Sequence, residues 1–367
     1  MTASPTQRIG EDRTFEVVTV PAGSLIDGRY QVLGNLGVPG AQGEAYRVLD
    51  TFTNEIVALK LLLGIQLGPW HEAQQLTKLR DDHILAIRNA DHAAGTPYVV
   101  TALATNGNVY DRVVQSPAGK LDIPTAMRWA QQATTAIVRT HDAGLLHTDV
   151  KPENLFLDAN NNVLLGDFGL ASAIDANGRG HNSGSPATMA PEVAAVFASM
   201  TPGTSVVSDV YSLAATAYHL LTGMRAFEVD PAIPWLTQLP THRPKRLRDL
   251  APHVPRGVYE CIERAMSFDP NLRPQSASAF AVALGKAKLP NRLWCQTNEH
   301  TGHAGCWRGE EPGKATVLVC AEPIGKKFRV GAVKLPSGHK VHGPKHNLEA
   351  TPAQLNAAVR KVIESLT

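Results

Sequence analysis

The first hundred residues alternate short apolar runs with turn-forming residues. Segments 30–33, 44–48 and 56–61 are rich in β-compatible residues, and Gly, Asp or Asn separates them. A further apolar run at 98–101 is typical of a buried strand. The pattern predicts a small β-rich region, interrupted by one helical segment near residues 70–79.

Beyond residue 105 the apolar period becomes helical. From Ile123 to His141, residues on one face recur every three or four positions, and Pro124 stands near the predicted helix start. Segments 212–221 and 258–266 are also helix-like. A β-rich part followed by an α-rich part predicts an α+β fold.

The last 76 residues have a different pattern. Two strand-like runs, 315–320 and 327–333, are joined by a turn around 323–325. Residues 351–354 have the sequence of a capping box that opens a final helix. Residues 292–367 are therefore predicted to form a small β-rich domain ending in a helix.

Composition and charge limit the class of protein. The 367 residues carry a net charge of +2 and are 43% hydrophobic, as expected for a soluble globular protein of two or three domains. No apolar stretch approaches the ~18 residues that a membrane-spanning helix needs. Residues 1–16 lack the apolar block of a signal peptide, and four cysteines are too few for a disulfide scaffold. We expect a cytoplasmic protein with no membrane partner.

The strongest chemical signal comes from two short motifs in the helical part. The first reads HTDVKPEN (147–154), and the second, DFG (167–169), begins 13 residues after the first ends. Together they offer carboxylate, amide and ammonium groups. Phosphoryl transfer needs an oriented hydroxyl, neutralised phosphate oxygens and bound Mg²⁺. Carboxylate and amide oxygens are suitable ligands for that ion. These motifs resemble those of the protein kinase superfamily, in particular the bacterial Hanks-type Ser/Thr protein kinases.

The resemblance covers about residues 28–285 and implies a bilobal protein-kinase-like fold with a β-rich N-lobe and an α-helical C-lobe. It implies that Asp149 is the catalytic base and that Lys151 steadies the γ-phosphate. The Mg²⁺ ligands would be Asn154 and Asp167.

The resemblance also assigns residues to ATP. Segment 57–60 matches the strand whose lysine, here Lys60, holds the α- and β-phosphates, with Glu72 as its helix partner. The glycine loop reads Gly-x-x-Gly-x-x-Gly where the family has Gly-x-Gly-x-x-Gly, so we expect nucleotide binding with an unusual loop shape. The nucleotide positions implied by the resemblance are Gly37, Gly40, Gly43, Ala45, Ala58, Lys60, Thr101, Ala102, Ala104 and Phe156.

The chain departs from the family at the catalytic-loop arginine, where it has Thr148. In the family that arginine pairs with a phosphorylated activation-loop residue. Threonine carries no charge, so activation by loop phosphorylation is not expected. Ser185 stands at the position of the substrate-facing hydroxyl, and Arg273 is the expected partner of Glu192.

Two functions from different classes remain open. The first is a Ser/Thr protein kinase that transfers the ATP γ-phosphoryl group, with Mg²⁺, to hydroxyls of a protein substrate, itself included. The second is a pseudokinase that acts as a nucleotide-binding or scaffolding module, suggested by the altered glycine loop and the missing arginine. The kinase is favoured because the lysine, the base and both metal ligands are present.

Charge and residue types shift near residue 290. Residues 290–367 hold 11 Lys or Arg and 6 Asp or Glu, a local charge of +5. A shift of this kind marks a domain boundary. The predicted organisation is an N-terminal extension (1–25), a kinase N-lobe (26–103), a kinase C-lobe (104–289) and an accessory domain (290–367).

The accessory domain offers three interpretations. Cys295, His300, His303 and Cys306 have the ligand chemistry of zinc, although their spacing is not that of paired Cys-x-x-Cys motifs. Buried cysteines in an ordinary loop are the alternative. The basic residues also allow contact with nucleic acid, but a solvated basic hairpin is the simpler interpretation. By elimination, substrate recruitment or regulation is the expected role.

Overall fold

The computed structural model describes most of the chain in two compact units. It describes residues 20–36, 44–62, 79–116, 119–197, 199, 201, 203–228 and 230–367. The first unit runs to residue 103 without 78–85, and the second unit takes in 78–85 and 104–367. The predicted helix near 70–79, except for its last residue, lies outside the described residues.

The first unit contains a six-stranded antiparallel sheet in the order β1-β2-β3-β4-β6-β5. Along the four inner strands buried side chains recur at alternate positions, so that one face is buried; Tyr30, Tyr46, Leu59 and Tyr98 on that face are fully enclosed. The strands are β1 (Leu25–Ile26), β2 (Tyr30–Asn35), β3 (Glu44–Asp50), β4 (Glu55–Leu61), β5 (Ile87–Ala93) and β6 (Thr96–Ala102).

The second unit begins with the helical part. The predicted helix from residue 123 is confirmed: the side chain of Asp122 accepts a hydrogen bond from the Thr125 N–H at 2.9 Å, and Pro124 lies in the first turn. The described helices here are α1 (Val109–Gln115), α2 (Ile123–Asp142), α3 (Pro191–Val196), α4 (Val206–Thr222), α5 (Trp235–Gln238), α6 (Leu247–Leu250), α7 (Arg256–Ala265) and α8 (Ala277–Lys286).

Helix α4 forms the centre of the helical core. Nearly all of its residues are buried, and α2, α7 and α8 pack against it. A capping box between Ser205 and Ser208 begins the helix, and Gly223 ends it in a left-handed conformation (φ 72°) that glycine adopts without steric cost. A helix fixed at both ends is a rigid support for the loops beside it.

Short strand pairs carry those loops. They are β7 (Leu145–Leu146) with β10 (Ser172–Ala173), β8 (Leu155–Leu157) with β9 (Val163–Leu165), and β11 (Arg179–Gly180) with β12 (Thr204–Ser205).

The C-terminal segment forms a five-stranded antiparallel sheet followed by a helix, which confirms the predicted architecture. Trp294, Trp307, Val319 and Val330 line one face of the sheet and pack with the buried face of the helix. The elements are β13 (Leu293–Thr297), β14 (Gly305–Glu310), β15 (Val317–Ile324), β16 (Lys327–Lys334), β17 (Asn347–Ala350) and α9 (Leu355–Glu364). The predicted capping box between Thr351 and Gln354 is present in the 3₁₀ turn before α9.

Within the described parts of the chain, none of the helices combines the length and the apolar composition that crossing a bilayer requires.

Candidate active site

The loop 147–154 is anchored to the core by a buried carboxylate of helix α4. Asp209 Oδ2 accepts a hydrogen bond from the His147 N–H, and Oδ1 accepts one from the Thr148 N–H, both at 2.9 Å. The His141 ring nitrogen Nε2 lies 2.9 Å from Oδ2. Thr148 has a φ of 67°, a left-handed conformation that a β-branched residue adopts only when its surroundings enforce it. Asp209 provides that enforcement.

The role of Asp209 was not predicted from the sequence. Its signal is an acidic residue in the first turn of an otherwise apolar helix, where a buried charge needs hydrogen-bonding partners.

Three side chains of the loop converge within hydrogen-bonding distance. Lys151 Nζ lies 2.7 Å from Asp149 Oδ2 and 2.7 Å from the Ser185 hydroxyl. The Asn154 amide nitrogen donates to the Asp149 carbonyl at 2.8 Å and to Asp149 Oδ2 at 3.1 Å. The predicted residues Asp149, Lys151 and Asn154 are thus brought together in one cluster.

The surroundings of Asp149 set its charge state. Its side chain is almost completely buried, and burial alone would raise the pKa of its carboxyl group. The charge and hydrogen bond of Lys151, together with the hydrogen bond of Ser185, outweigh that effect and hold the pKa of Asp149 below its usual value. The group is therefore a carboxylate at neutral pH.

The hairpin β8–β9 brings Asn154 and Asp167 to the same end of two paired strands. Leu155 pairs with Leu165, and just beyond this pair the Gly166 N–H donates to the Asn154 carbonyl at 2.9 Å. Asp167 follows directly, in a left-handed conformation with φ 57°. The side chains of Asn154 and Asp167, both of which carry oxygen atoms, therefore start from neighbouring points of the backbone.

His147 connects the two motifs. Its Nδ1 accepts a hydrogen bond from the Asp149 N–H at 3.3 Å, and its Nε2 lies 3.0 Å from the Gly166 carbonyl. With Nδ1 accepting, Nε2 is the ring nitrogen that donates to the Gly166 carbonyl. The ring also packs edge-on against Phe168 at 4.7 Å between centroids. The second motif is therefore held against the first.

In the first unit, four of the predicted nucleotide residues of the sheet share one face. The register pairs Ala45 with Lys60 across β3 and β4, and Ala58 with Thr101 across β4 and β6. Each is only partly buried, on the face opposite the apolar core. The Ala102 N–H donates to the Ala86 carbonyl at 2.9 Å, so a nucleotide contact at Ala102 would use its carbonyl group.

Phe156 lies in the second unit and fixes the space around Gly166. A Cβ atom on Gly166 would lie 2.8 Å from the Phe156 ring and 3.0 Å from Leu85, so only glycine fits there. Ala104 also belongs to the second unit. The remaining predicted positions, Gly37, Gly40, Gly43 and Glu72, lie outside the described residues.

The segment after the second motif returns to the catalytic loop. The Ser183 hydroxyl donates to Thr148 Oγ1 at 2.8 Å, and Thr148 Oγ1 donates to the Leu170 carbonyl at 2.8 Å. At the far end of the segment, Glu192 forms a two-pronged ion pair with Arg273 at 2.7 and 2.8 Å. This confirms the pairing of Arg273 with Glu192 expected from the sequence.

The predicted zinc ligand set is wrong in one member. His300, His303 and Cys306 come together, but their fourth neighbour is Cys320, not Cys295. The strand register explains the difference: Cys306 lies directly opposite Cys320 on β15, whereas Cys295 on β13 pairs with Arg308, two residues further along. We refer to His300, His303, Cys306 and Cys320 as the His₂Cys₂ cluster.

Comparison with known proteins identifies the family. The family model described as protein kinase domain matches residues 30–283. The chain belongs to the protein kinase family. The Ser/Thr protein kinase PknA of Mycobacterium tuberculosis is 30% identical over 285 residues, which are 74% of this chain and 64% of PknA. The Ser/Thr protein kinase pkn2 of Myxococcus xanthus is 28% identical over 73% of this chain and 33% of its own length.

A solved kinase structure has the same fold. The crystal structure of the Mycobacterium tuberculosis PknI kinase domain has a TM-score of 0.58 at 23% identity, and it covers 74% of this chain and 100% of the PknI domain. The kinase family and the α+β, bilobal fold class inferred from the sequence are therefore confirmed. The chain spans a little under two thirds of PknA.

Proposed function

We propose that this kinase-family protein is an active Ser/Thr protein kinase that transfers the γ-phosphoryl group of ATP to protein hydroxyls, including its own. The observation that carries the proposal is the cluster of Asp149, Lys151 and Asn154 on a loop anchored by Asp209. The names of the relatives as Ser/Thr kinases support the same class. Nothing in those names favours the pseudokinase alternative.

Asp149 is the proposed catalytic base. Its lowered pKa keeps it ionised at neutral pH, so it can accept a hydrogen bond, and then the proton, from a substrate hydroxyl. Two hydrogen bonds from the Asn154 amide fix the orientation of the residue before substrate arrives. Lys151, 2.7 Å away, supplies a positive charge for the transferred phosphoryl group.

The donor set fits Mg²⁺. The Asn154 amide nitrogen is engaged by Asp149, which turns the amide oxygen away from that residue. The Asp167 carboxylate arises from the same end of the β8–β9 hairpin. Oxygen ligands of this kind suit a hard divalent cation. When bound, the ion neutralises the phosphate oxygens of the nucleotide.

We also propose nucleotide contacts for residues of the first unit. Lys60 and Ala45 are opposite each other on the partly exposed sheet face, where a cation and a small side chain suit phosphate and a flat base. We assign Lys60 to the α- and β-phosphates, with Glu72 as its partner. We also assign the glycine positions and Thr101 to ATP.

Phosphotransfer by the purified full chain tests this proposal. The wild type, incubated with γ-labelled ATP, Mg²⁺ and a general acceptor protein, should label itself and the acceptor. Lys60→Met should label neither, while Lys286→Met, at the exposed end of α8, should match the wild type. Equal labelling by Lys60→Met would contradict the assignment of Lys60.

A thermal-shift measurement separates the kinase from the pseudokinase. We expect ATP to raise the unfolding temperature more with Mg²⁺ than without it, because the metal links the nucleotide to protein ligands. A nucleotide shift that does not depend on Mg²⁺, without any labelling, would indicate a nucleotide-binding pseudokinase. No shift and no labelling would indicate a scaffold.

A further inference from the structure

The C-terminal sheet brings four metal-ligand side chains to one point. Cys306 and Cys320 are direct cross-strand partners on β14 and β15, with their sulfur atoms 3.2 Å apart. The connection between β13 and β14 carries His300 and His303 to the same place. The ligand atoms of the whole His₂Cys₂ cluster lie within 4.8 Å of one another.

The cluster lies on the sheet face opposite the apolar core. Trp307, which follows Cys306, and Val319, which precedes Cys320, pack into the core with helix α9. Because successive side chains of a strand point to opposite faces, Cys306 and Cys320 face the other side. Cys306 is nevertheless only 1% exposed, and both histidine rings lie beside its sulfur. The histidine-bearing loop therefore folds over this face of the sheet.

Three nitrogen-to-sulfur distances in the cluster match those between the ligands of a tetrahedral zinc site. Zinc bonds of about 2.0–2.3 Å to nitrogen and sulfur imply ligand-to-ligand distances of about 3.3–3.8 Å in a tetrahedral site. Cys306 Sγ lies 3.7 Å from His300 Nδ1 and 3.6 Å from His303 Nδ1. His300 Nδ1 lies 3.3 Å from Cys320 Sγ. These three nitrogen–sulfur distances fall within the expected range. The 3.2 Å between the two sulfur atoms is about 0.6 Å less than the ~3.8 Å that two zinc–sulfur bonds imply, so the sulfur atoms would move apart on binding.

We propose that the His₂Cys₂ cluster binds one Zn²⁺ ion with a structural role. Two imidazole and two thiol ligands form a donor set that selects zinc over harder ions such as Mg²⁺. On binding, each cysteine releases its proton to solvent and ligates as thiolate. With four protein ligands the coordination shell is closed, which is the pattern of structural zinc sites.

The bound ion would fasten the β13–β14 loop to the sheet. Two ligands come from that loop, and the other two come from adjacent strands, so one ion links three elements. The accessory segment is short, and small domains commonly use a metal to supplement a limited apolar core. This role does not depend on phosphotransfer by the kinase domain.

Metal analysis of the full-length chain tests the proposal. The protein is purified under reducing conditions without chelator, incubated with zinc chloride, desalted and measured by elemental analysis. We expect about one zinc per chain in the wild type. Cys320→Ser should lose roughly nine tenths or more of that zinc, because one thiolate is removed from a closed site.

Cys295→Ser is the matched control. Cys295 lies on the same sheet face, pairs with Arg308, and has its thiol 3.7 Å from the Arg308 carbonyl, outside the cluster. This variant should retain the zinc content of the wild type. Equal loss of zinc in Cys295→Ser and Cys320→Ser would overturn the assignment of the ligands.

A second variant avoids disturbing the sheet. His300 is exposed on the loop, so His300→Ala should keep the fold and lose zinc even if Cys320→Ser does not fold. Replacing zinc with Co²⁺ should give the absorption bands of tetrahedral, thiolate-bound cobalt in the wild type and weaken them in His300→Ala. The proposal is overturned if the reduced wild type holds no zinc after incubation, or if a Cys306–Cys320 disulfide forms and persists in place of metal.

Discussion

The Ser183 hydroxyl donates a 2.8 Å hydrogen bond to the hydroxyl oxygen of Thr148. The Thr148 hydroxyl in turn donates a hydrogen bond to the Leu170 carbonyl, also at 2.8 Å. The general protein kinase motif His-Arg-Asp has an arginine at this position, which a phosphate on the activation segment can engage. In this protein loop 147–154 and the segment between the DFG motif and Pro191, which we call the activation segment, are joined by neutral groups instead.

Thr148→Val should loosen the activation segment. The change keeps the shape of the side chain but removes both hydrogen bonds, each worth about 0.5–1.5 kcal/mol. We expect a several-fold lower kcat and faster proteolysis of the segment. Ser183→Ala removes one of the same bonds, so the double variant should lose less than the sum of the single variants. Strictly additive effects would show that the two hydroxyls act independently.

Asp209→Asn should impair catalysis through the position of the loop. Asparagine has one acceptor oxygen, so either the His147 or the Thr148 N–H would face an amide NH₂ group. A small displacement of a catalytic group can cost on the order of 10²-fold in rate. We expect kcat to fall by about that factor while the KM for ATP changes little. An unchanged kcat would exclude Asp209 as a positioning residue.

Arg273→Met should strongly destabilise the second unit. The guanidinium is buried, and besides Glu192 it bonds the Ser267 carbonyl at 2.7 Å. Removing one partner of a buried ion pair typically costs about 3–5 kcal/mol. Urea unfolding should show the loss. The matched control is Arg256→Met, which breaks an exposed pair with Glu260 and should leave the unfolding midpoint nearly unchanged.

Two buried histidines predict a loss of stability in mild acid. Burial, assisted by the charge of Arg225, lowers the pKa of His219 from 6.5 to about 4. Burial, assisted by Lys120, lowers the pKa of His253 to about 3. Both rings therefore stay neutral in the folded state at pH values where the unfolded chain takes up protons.

The free energy of unfolding should consequently fall as the pH drops from 6.5 towards 4. Between pH 6.5 and pH 4, His219 should lower the free energy of unfolding by roughly 3 kcal/mol, because each pKa unit corresponds to about 1.36 kcal/mol. His219→Leu should flatten this part of the pH profile, measured by urea unfolding at several pH values. The same slope in the variant and the wild type would contradict the assignment to His219.

Features encoded in short stretches of sequence were predictable. Helix α2 was predicted because its apolar face and Pro124 are both local signals. The cluster of Asp149, Lys151 and Asn154 spans six residues, so its motif already specifies which groups meet.

Features that depend on tertiary packing were not predictable. Asp209 reaches loop 147–154 from a helix about 60 residues away; its place in an apolar helix signals that it needs partners, but no local pattern identifies them. The choice of Cys320 over Cys295 depends on strand register, which places Cys320 directly opposite Cys306. Cys295 is closer than Cys320 to the other three ligands in the sequence, so sequence spacing alone favours the wrong cysteine.

Asp149 is the proposed catalytic base of an active kinase. The most direct test is the kcat of phosphotransfer by Asp149→Asn, with Asp142→Asn, an exposed carboxylate at the end of α2, as the matched control. We predict a loss of about 10²- to 10⁴-fold for Asp149→Asn, with the Mg²⁺-dependent thermal shift by ATP retained, and no loss for the control. A wild-type kcat in Asp149→Asn would show that Asp149 is not the catalytic base.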